Sequence, residues 1–368
     1  MSNKLFPSLA TPTILLDLDK MEANIAAMQA VCDEAGVELR PHIKSNKMVE
    51  VVRRQLQAGA AGITCAKLGE AEAVLPAFDG ARGRREVFVA HSIVDENAAP
   101  RLQRLNAELD ELALACTSEL HAPALEAVVA KADLHLPVIM ALDTGLGREG
   151  ARDLDGAVRL AETIARQPHL ELKAIYTHEG HFYGKTKAEA DTYLEEWHQR
   201  LLKIRDAIAK VLGSPVKLWP GCSVSAARVA RLSGIDAVRP GAYIFGDIGL
   251  SESVEVMTPD AVALSVLATV VDRPEPGLAL LDSGTKTLST DKARAGMSAR
   301  SEWGLVMKAN EEHGYLTGEH VDDLVIGQQV RLIPAHVCPV INLTDTVTVV
   351  RGNEVVDTWR VEARGKTQ

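Results

Sequence analysis

From residue 13 to about 246, short apolar runs alternate with stretches of helical periodicity. Thr13–Leu18 reads as a buried strand. Met21, Ile25, Met28 and Cys32 then recur at helical spacing, with Asp19 near the start of that helix. The same alternation predicts strands near 37–43, 62–65, 86–90, 111–116, 137–142, 172–177, 216–219 and 243–246. Helices are expected over 47–58, 68–77 and 96–108, with the longest over 187–211. Continuous apolar strands separated by helices imply parallel strands covered on both faces. About eight such units over ~235 residues fit a TIM-like (β/α)8 barrel better than a doubly wound sheet.

After residue 255 the pattern changes. Ala261–Asp272, Leu278–Asp282, Gly304–Lys308, Gln329–Pro334, Thr346–Val350 and Val355–Val361 are valine-rich and strand-like, and Gly352-Asn353 marks a hairpin turn. The expected organisation is an α/β barrel over 13–255, followed by a mostly β domain from 256 to 368 on which residues 1–12 pack.

Composition narrows the function classes. With 46% hydrophobic residues in 368, the chain can bury a substantial core. A net charge of −10 argues against nucleic acid or anionic membrane as partner. No apolar stretch approaches the roughly 18 residues of a membrane span, and the first residues lack the apolar core of a signal peptide. The five cysteines are scattered and odd in number, which suits reduced thiols and a cytoplasmic setting.

Candidate chemistry clusters at the ends of predicted strands, where a barrel carries its active site. Lys44 follows the strand-like Val37–Ile43, so its amine could form an imine with an aldehyde cofactor; a solvated strand-end lysine is the bland alternative, and Lys47 is a rival. Asp143-Thr144-Gly145-Leu146-Gly147-Arg148-Glu149-Gly150 forms a glycine-rich loop able to approach a cofactor closely, although it fails as a dinucleotide fingerprint. Gly221–Ser225 and Arg239–Tyr243 follow strands late in the barrel, and their N–H groups, the hydroxyls of Ser223 and Ser225 and a helix start near Ser225 could cradle a phosphate. Tyr176–Gly184 is the densest group of titratable residues: His178 could orient a cofactor and His181 could act as acid or base, with a structural histidine as the plainer reading for one of them. His336 and Cys338 are two apart, so on a strand both would face one way as ligands of one metal. A thiolate favours Zn2+, with Mn2+ or Mg2+ as alternatives; a buried cysteine beside a surface histidine is the non-functional reading.

In this order, these segments resemble the fold-type III pyridoxal-phosphate enzymes, specifically the D-threonine aldolase and D-serine dehydratase group, over nearly the whole chain. The carriers are Thr11-Pro12, Leu16-Asp17-Leu18-Asp19, Arg40-Pro41-His42-Ile43-Lys44, the Asp143–Gly150 loop, Arg239-Pro240-Gly241 and His336-x-Cys338-Pro339. The resemblance implies pyridoxal 5'-phosphate held by Lys44 as a Schiff base. It further implies Arg148 at the cofactor's phenolic oxygen, Gly241 and Tyr243 at its phosphate, and Tyr176, His178, Ser223, Ser225 and Arg239 among the cofactor-binding residues. A divalent metal on His336 and Cys338 and a homodimer are implied as well.

The reaction this implies is a metal-assisted lyase reaction on a D-3-hydroxy amino acid. Cysteine at the second metal position resembles the dehydratases, which make a 2-oxo acid and ammonia; the D-threonine aldolases carry aspartate there and make glycine plus an aldehyde. An arginine such as Arg239 beside the cofactor's pyridine nitrogen keeps a racemase activity open. A cofactor carrier without turnover would lack the β domain and metal pair, and a metal-only hydrolase would show a His-x-His after its first strand.

Overall fold

The computed structural model describes residues 4–81, 83–184, 187–293 and 295–368, so Met1–Asn3 of the expected N-terminal segment lie outside the described residues. The chain forms two compact units. One comprises Ala27–Lys44, Val51–Gly241 and Lys366–Gln368; the other comprises Met1–Ala26, Ser45–Glu50 and Ala242–Gly365.

The first apolar run does form a strand, β1 (Thr13–Asp17). It is not a barrel strand, however, and this corrects the expectation. It pairs antiparallel with Leu264–Leu267 and parallel with Thr348–Val350, all in the second unit. Its apolar pattern suits either setting, and only partners far along the chain, near 265 and 349, decide between them.

The barrel begins instead at β2 (Glu38–Leu39). There follow β3 (Ile63–Cys65), β4 (Glu86–Val89), β5 (Glu111–Cys116), β6 (Leu136–Leu142), β7 (Leu170–Thr177), β8 (Lys217–Pro220) and β9 (Ala237–Val238). Strands β3 to β8 form a parallel six-stranded sheet in chain order, and β2 pairs with β9. The Ala61 N–H to Leu39 O bond (2.9 Å) and the His42–Thr64 bridge stitch β2 to β3. Asp236 exchanges two bonds with Leu218, joining β8 to β9. The ring of eight parallel strands is thus complete without the segment at 243–246, where a strand was expected and a 3-10 turn, Ala242–Ile244, is found. Lys187–Leu212 is the longest helix among the described residues.

Alternation along the strands fills the barrel. Ala113, Ala115, Ile139, Ala141, Ala174 and Tyr176 point inward with Phe88 and Trp219, while Leu112, Leu114, Val138 and Met140 are equally buried on the other face. The barrel interior also holds charge. Arg40, 4% exposed, bonds Glu38 and Glu86 at 2.7 and 2.6 Å and lies 4.3 Å from the centre of the Trp219 ring. Such a pair is costly to break because its survivor stays buried. Glu86→Ala should therefore lower unfolding free energy by about 3 kcal/mol, measured as the shift in a denaturant midpoint.

In the second unit, β10 (Leu264–Glu275), β11 (Leu278–Leu281), β12 (Ala299–Ser301), β13 (Gly304–Ala309), β14 (Gly314–Thr317), β15 (Gln329–Pro334), β16 (Thr346–Arg351) and β17 (Glu354–Arg360) join β1 in a nine-stranded sheet. Its order is β11-β14-β13-β12-β15-β10-β1-β16-β17. Gly352, at φ 56°, turns the β16–β17 hairpin as expected. The expected β texture is borne out; β12 and β14 were not anticipated.

Candidate active site

Lys44 lies in the short 3-10 turn Ile43–Ser45 that follows β2, half-buried. Its charge reaches His42, His178 and Cys222, so these residues share one neighbourhood at the strand ends. Burial holds His42 well below its ordinary value, reinforced by Lys44, Arg239, His178 and Arg148. Burial likewise pushes His178 down to about 3, with Lys44 adding to the shift. His178 is therefore neutral near pH 7, and its Nδ1–H donates to Gly221 O at 2.8 Å.

The glycine-rich loop is shaped from within. Asp143 Oδ1 accepts from the N–H groups of Gly145 (3.1 Å) and Gly147 (3.0 Å), both at positive φ. A Cβ on Gly150 would lie 2.6 Å from Asp143 N, so the backbone there closes too tightly for any side chain. Arg148 projects half-exposed and pairs with Glu149 at 2.6 Å, while its charge is felt at His42, His178 and Tyr176.

The late strand ends are tied together. Arg239 is buried, and burial brings its guanidinium down to about 10. Its Nε and Nη2 donate to Trp219 O and Thr177 O, both at 2.8 Å, linking the ends of β7 and β8 to β9. A Cβ on Gly221 would lie 2.7 Å from Arg239 Cβ, so this crossing requires glycine. Gly241 N–H donates to Ser223 Oγ at 3.2 Å. Ser225 faces inward instead: its hydroxyl donates to Glu179 Oε2 at 2.9 Å, and the helix after it, Ala226–Val229, is a single turn. His181 packs among Gly145, Phe182 and Tyr193. Tyr243 is buried within the second unit, in the turn Ala242–Ile244.

The metal pair also lies in the second unit. The two residues are not on a strand, which corrects the geometric expectation: β15 stops at Pro334, His336 is extended, and Cys338 sits in the first turn of the helix Val337–Asn342. Pro339 fits that first turn, where no N–H is required of it. The side chains nonetheless meet, because the chain turns between them. Burial lowers the His336 proton affinity, but hydrogen bonding and charge from Cys338, then Asp291 and Asp247, carry it to about 9. His336 Nδ1 and Asp291 Oδ2 are 2.7 Å apart, and Ser45 Oγ lies 3.2 Å from Cys338 Sγ. Asp247, 3% exposed, accepts from Val337 N–H and fixes the start of the helix.

The residues fit the two implied groups. Among the described residues nothing accepts the N–H groups of Cys222 and Ser223, and Tyr176 Oη is buried without a hydrogen-bond partner, so three polar groups await a ligand. At the second unit's site, the field that raises His336 is one that favours a cation. An imidazole tied back by Asp291 beside a thiol is the arrangement of a metal-ligating histidine with its supporting carboxylate. No group of three or more His, Cys, Asp or Glu side chains suited to a metal occurs among the described residues.

Asp291, Asp247, Ser45 and Glu179 escaped the sequence reading. Glu179 alone left a signal, as a carboxylate between two histidines just beyond a strand.

A barrel with a lysine after its first strand, neutral histidines around it and a donor-lined loop at its last strands defines a pyridoxal-phosphate barrel enzyme. The alanine racemase N-terminal domain family matches residues 16–248, and the serine dehydratase domain family matches residues 263–350. D-threonine aldolase from Arthrobacter sp is 31% identical over 366 residues, covering 96% of this chain and 93% of the relative. D-threo-3-hydroxyaspartate dehydratase from Delftia sp. (strain HT23) is 32% identical over 357 residues, covering 90% and 91%. Among solved structures, D-threonine aldolase from Filomicrobium marinum matches with a TM-score of 0.85 at 25% identity, covering 98% of this chain and 97% of the other. A cysteine-to-alanine mutant of D-threo-3-hydroxyaspartate dehydratase, in the metal-free form, matches with a TM-score of 0.83 at 28% identity, covering 96% and 97%. The chain belongs to the fold-type III pyridoxal-phosphate enzymes, in the D-threonine aldolase and D-serine dehydratase group, and is a lyase of that family.

Proposed function

We propose that this lyase is a pyridoxal-phosphate- and metal-dependent dehydratase of D-serine or a related D-3-hydroxy amino acid. The observation that carries the reading is the His336–Cys338 pair with Asp291 behind the imidazole. A cysteine mutant of the relative dehydratase being described in a metal-free form agrees with a thiolate at the metal.

When bound, the cofactor would store the electron pair of the bond broken at Cα, and a metal, with Zn2+ favoured, would polarise the β-hydroxyl as it leaves. Lys44 would hold the cofactor at rest, and its free amine would then take the Cα proton. Neutral His178, fixed by Gly221 O, would orient the cofactor, and Arg148 and Tyr176 would supply polar contacts to it. The N–H groups of Cys222 and Ser223 and the Ser223 hydroxyl, lined up by Gly241 N–H, would bind its phosphate, with Gly241 and Tyr243 assigned there by family resemblance. Loss of the Cα proton and the β-hydroxide releases an enamine, which water converts to a 2-oxo acid and ammonia.

The D-threonine aldolase reading has equal standing in overall similarity, 31% identity over 96% of the chain against 32% over 90% for the dehydratase. It would use the same groups to cleave Cα–Cβ, with His181 taking the hydroxyl proton. Racemisation is the remaining alternative for Arg239. The five cysteines form no disulfide, and no helix among the described residues is long and apolar enough to cross a membrane; both suit the proposed cytoplasmic setting, and a homodimer is the assembly proposed.

Purified enzyme incubated with D-serine, D-threonine and D-3-hydroxyaspartate should yield a 2-oxo acid, and chelation should suppress it. Glycine plus aldehyde would establish the aldolase instead, and L-enantiomer alone would establish a racemase. Full activity after verified metal removal would sink the metal assignment.

A further inference from the structure

We infer that Glu179 is the positioning residue that holds the Gly221–Ser225 loop with its free donors turned toward the cofactor phosphate. The inference rests on the pyridoxal-phosphate reading above.

Glu179 follows β7 directly after Thr177 and His178, and its side chain is wholly buried. One carboxylate oxygen accepts from Gly221 N–H at 3.3 Å, and the other accepts from the Ser225 hydroxyl at 2.9 Å. The carboxylate thus spans the loop from its first residue to its last. His178, one residue earlier, takes the carbonyl of the same Gly221. Gly221 N–H is shared between Thr177 O (3.1 Å) and the Glu179 carboxylate, so the end of β7 and the two side chains after it hold both polar groups of Gly221. With the loop's ends pinned inward, the N–H groups of Cys222 and Ser223 lack acceptors within the described protein, and the Ser223 hydroxyl is lined up by Gly241 N–H. Ser225 makes no side-chain cap on its own helix, so its hydroxyl serves Glu179.

A buried carboxylate is an expensive choice for packing alone. Burial raises this one to about 7, against the opposing pull of Ser225 and Arg239. When ionised it offers what glutamine does not, two acceptor oxygens with a negative charge that Arg239 favours. Glutamine has one acceptor oxygen, so it can keep Gly221 N–H only if the Ser225 hydroxyl turns to accept from the amide NH2, which gives up the charge-assisted bond.

The test compares cofactor binding by the full-length wild type, Glu179→Gln and Ser225→Ala, using pyridoxal phosphate and pyridoxal, which lacks the phosphate. Loosening the carboxylate's hold on the loop predicts that Glu179→Gln weakens pyridoxal phosphate binding by about tenfold and Ser225→Ala by about threefold. Pyridoxal affinity should stay within about twofold of wild type in both, since the loop's donors meet only the phosphate. The 31P resonance of the bound cofactor should also shift in Glu179→Gln. Equal weakening for both ligands would reduce Glu179 to a general structural role and overturn the inference, as would unchanged affinity for both. Should Glu179→Gln fail to fold, Ser225→Ala carries the same comparison. A wild type that takes up no pyridoxal phosphate would instead overturn the cofactor reading itself, so the two failures are distinct.

Discussion

Lys44→Ala should abolish the visible absorbance of the bound cofactor and lower kcat/KM by about 10^4-fold or more, because the proposed mechanism makes one amine both anchor and base. The position supports this weight. Lys44 lies in the turn that follows the first barrel strand, its charge reaches His42, His178 and Cys222, and the nearby Arg148 and Arg239 add positive potential felt by both histidines. Lys44→Arg should not rescue, since guanidinium keeps the charge but is not a usable nucleophile. The rival lysine makes a clean control. Lys47, 6% exposed, donates from Nζ to Ala363 O at 3.3 Å and adopts φ 58°, so its side chain is committed to the β-rich unit. Lys47→Ala should keep the absorbance whatever it does to stability. An absorbance that survives in Lys44→Ala would refute the assignment.

Metal removal should produce the second large effect. Chelation, or either His336→Ala or Cys338→Ala, should lower kcat by about 10^2- to 10^3-fold, the scale of losing electrostatic stabilisation of a departing oxygen. Metal content measured alongside activity checks it, and the losses should be reversible by metal only in the chelated wild type. Asp291→Ala is the finer test: it leaves both ligands in place but unties His336 Nδ1, so metal affinity should fall by about 10- to 100-fold. Cys338→Asp replaces a soft donor with a hard one and should move the preference from zinc toward manganese or magnesium. Unchanged metal content in His336→Ala would place the metal elsewhere.

Much of the candidate site was legible because its parts are local. Arg40–Lys44, the Asp143–Gly150 loop, the His178 region and Arg239–Gly241 each occupy a few consecutive residues at a strand end, and strand ends can be read from apolar runs. The barrel strands are read less exactly: two of the expected strands lie outside the ring and one ring strand is missed. Thr13–Asp17 and 243–246 lie outside the ring, which closes by pairing Glu38–Leu39, inside the expected 37–43 strand, with the unanticipated two-residue strand Ala237–Val238. Strands this short carry almost no periodic signal. His336 and Cys338 were paired for a geometric reason that does not hold, since they straddle a helix start. They meet because two residues of spacing keep them close in either conformation.

The sequence by itself determined the chemistry available: a lysine after an early strand, a His-x-Cys pair, a tight glycine loop, and alternating apolar runs that commit the chain to a parallel barrel and then to β structure. These depend on residue identity and spacing, which are local properties. Tertiary structure alone decided which groups act on one another. It set Asp291 behind His336 from 45 positions away and joined Glu179 to a loop more than 40 residues on. It also moved β1 out of the barrel into a sheet with residues near 265 and 349. Hydrogen bonds, desolvation and strand pairing between distant segments depend on distances in space, which no local pattern encodes.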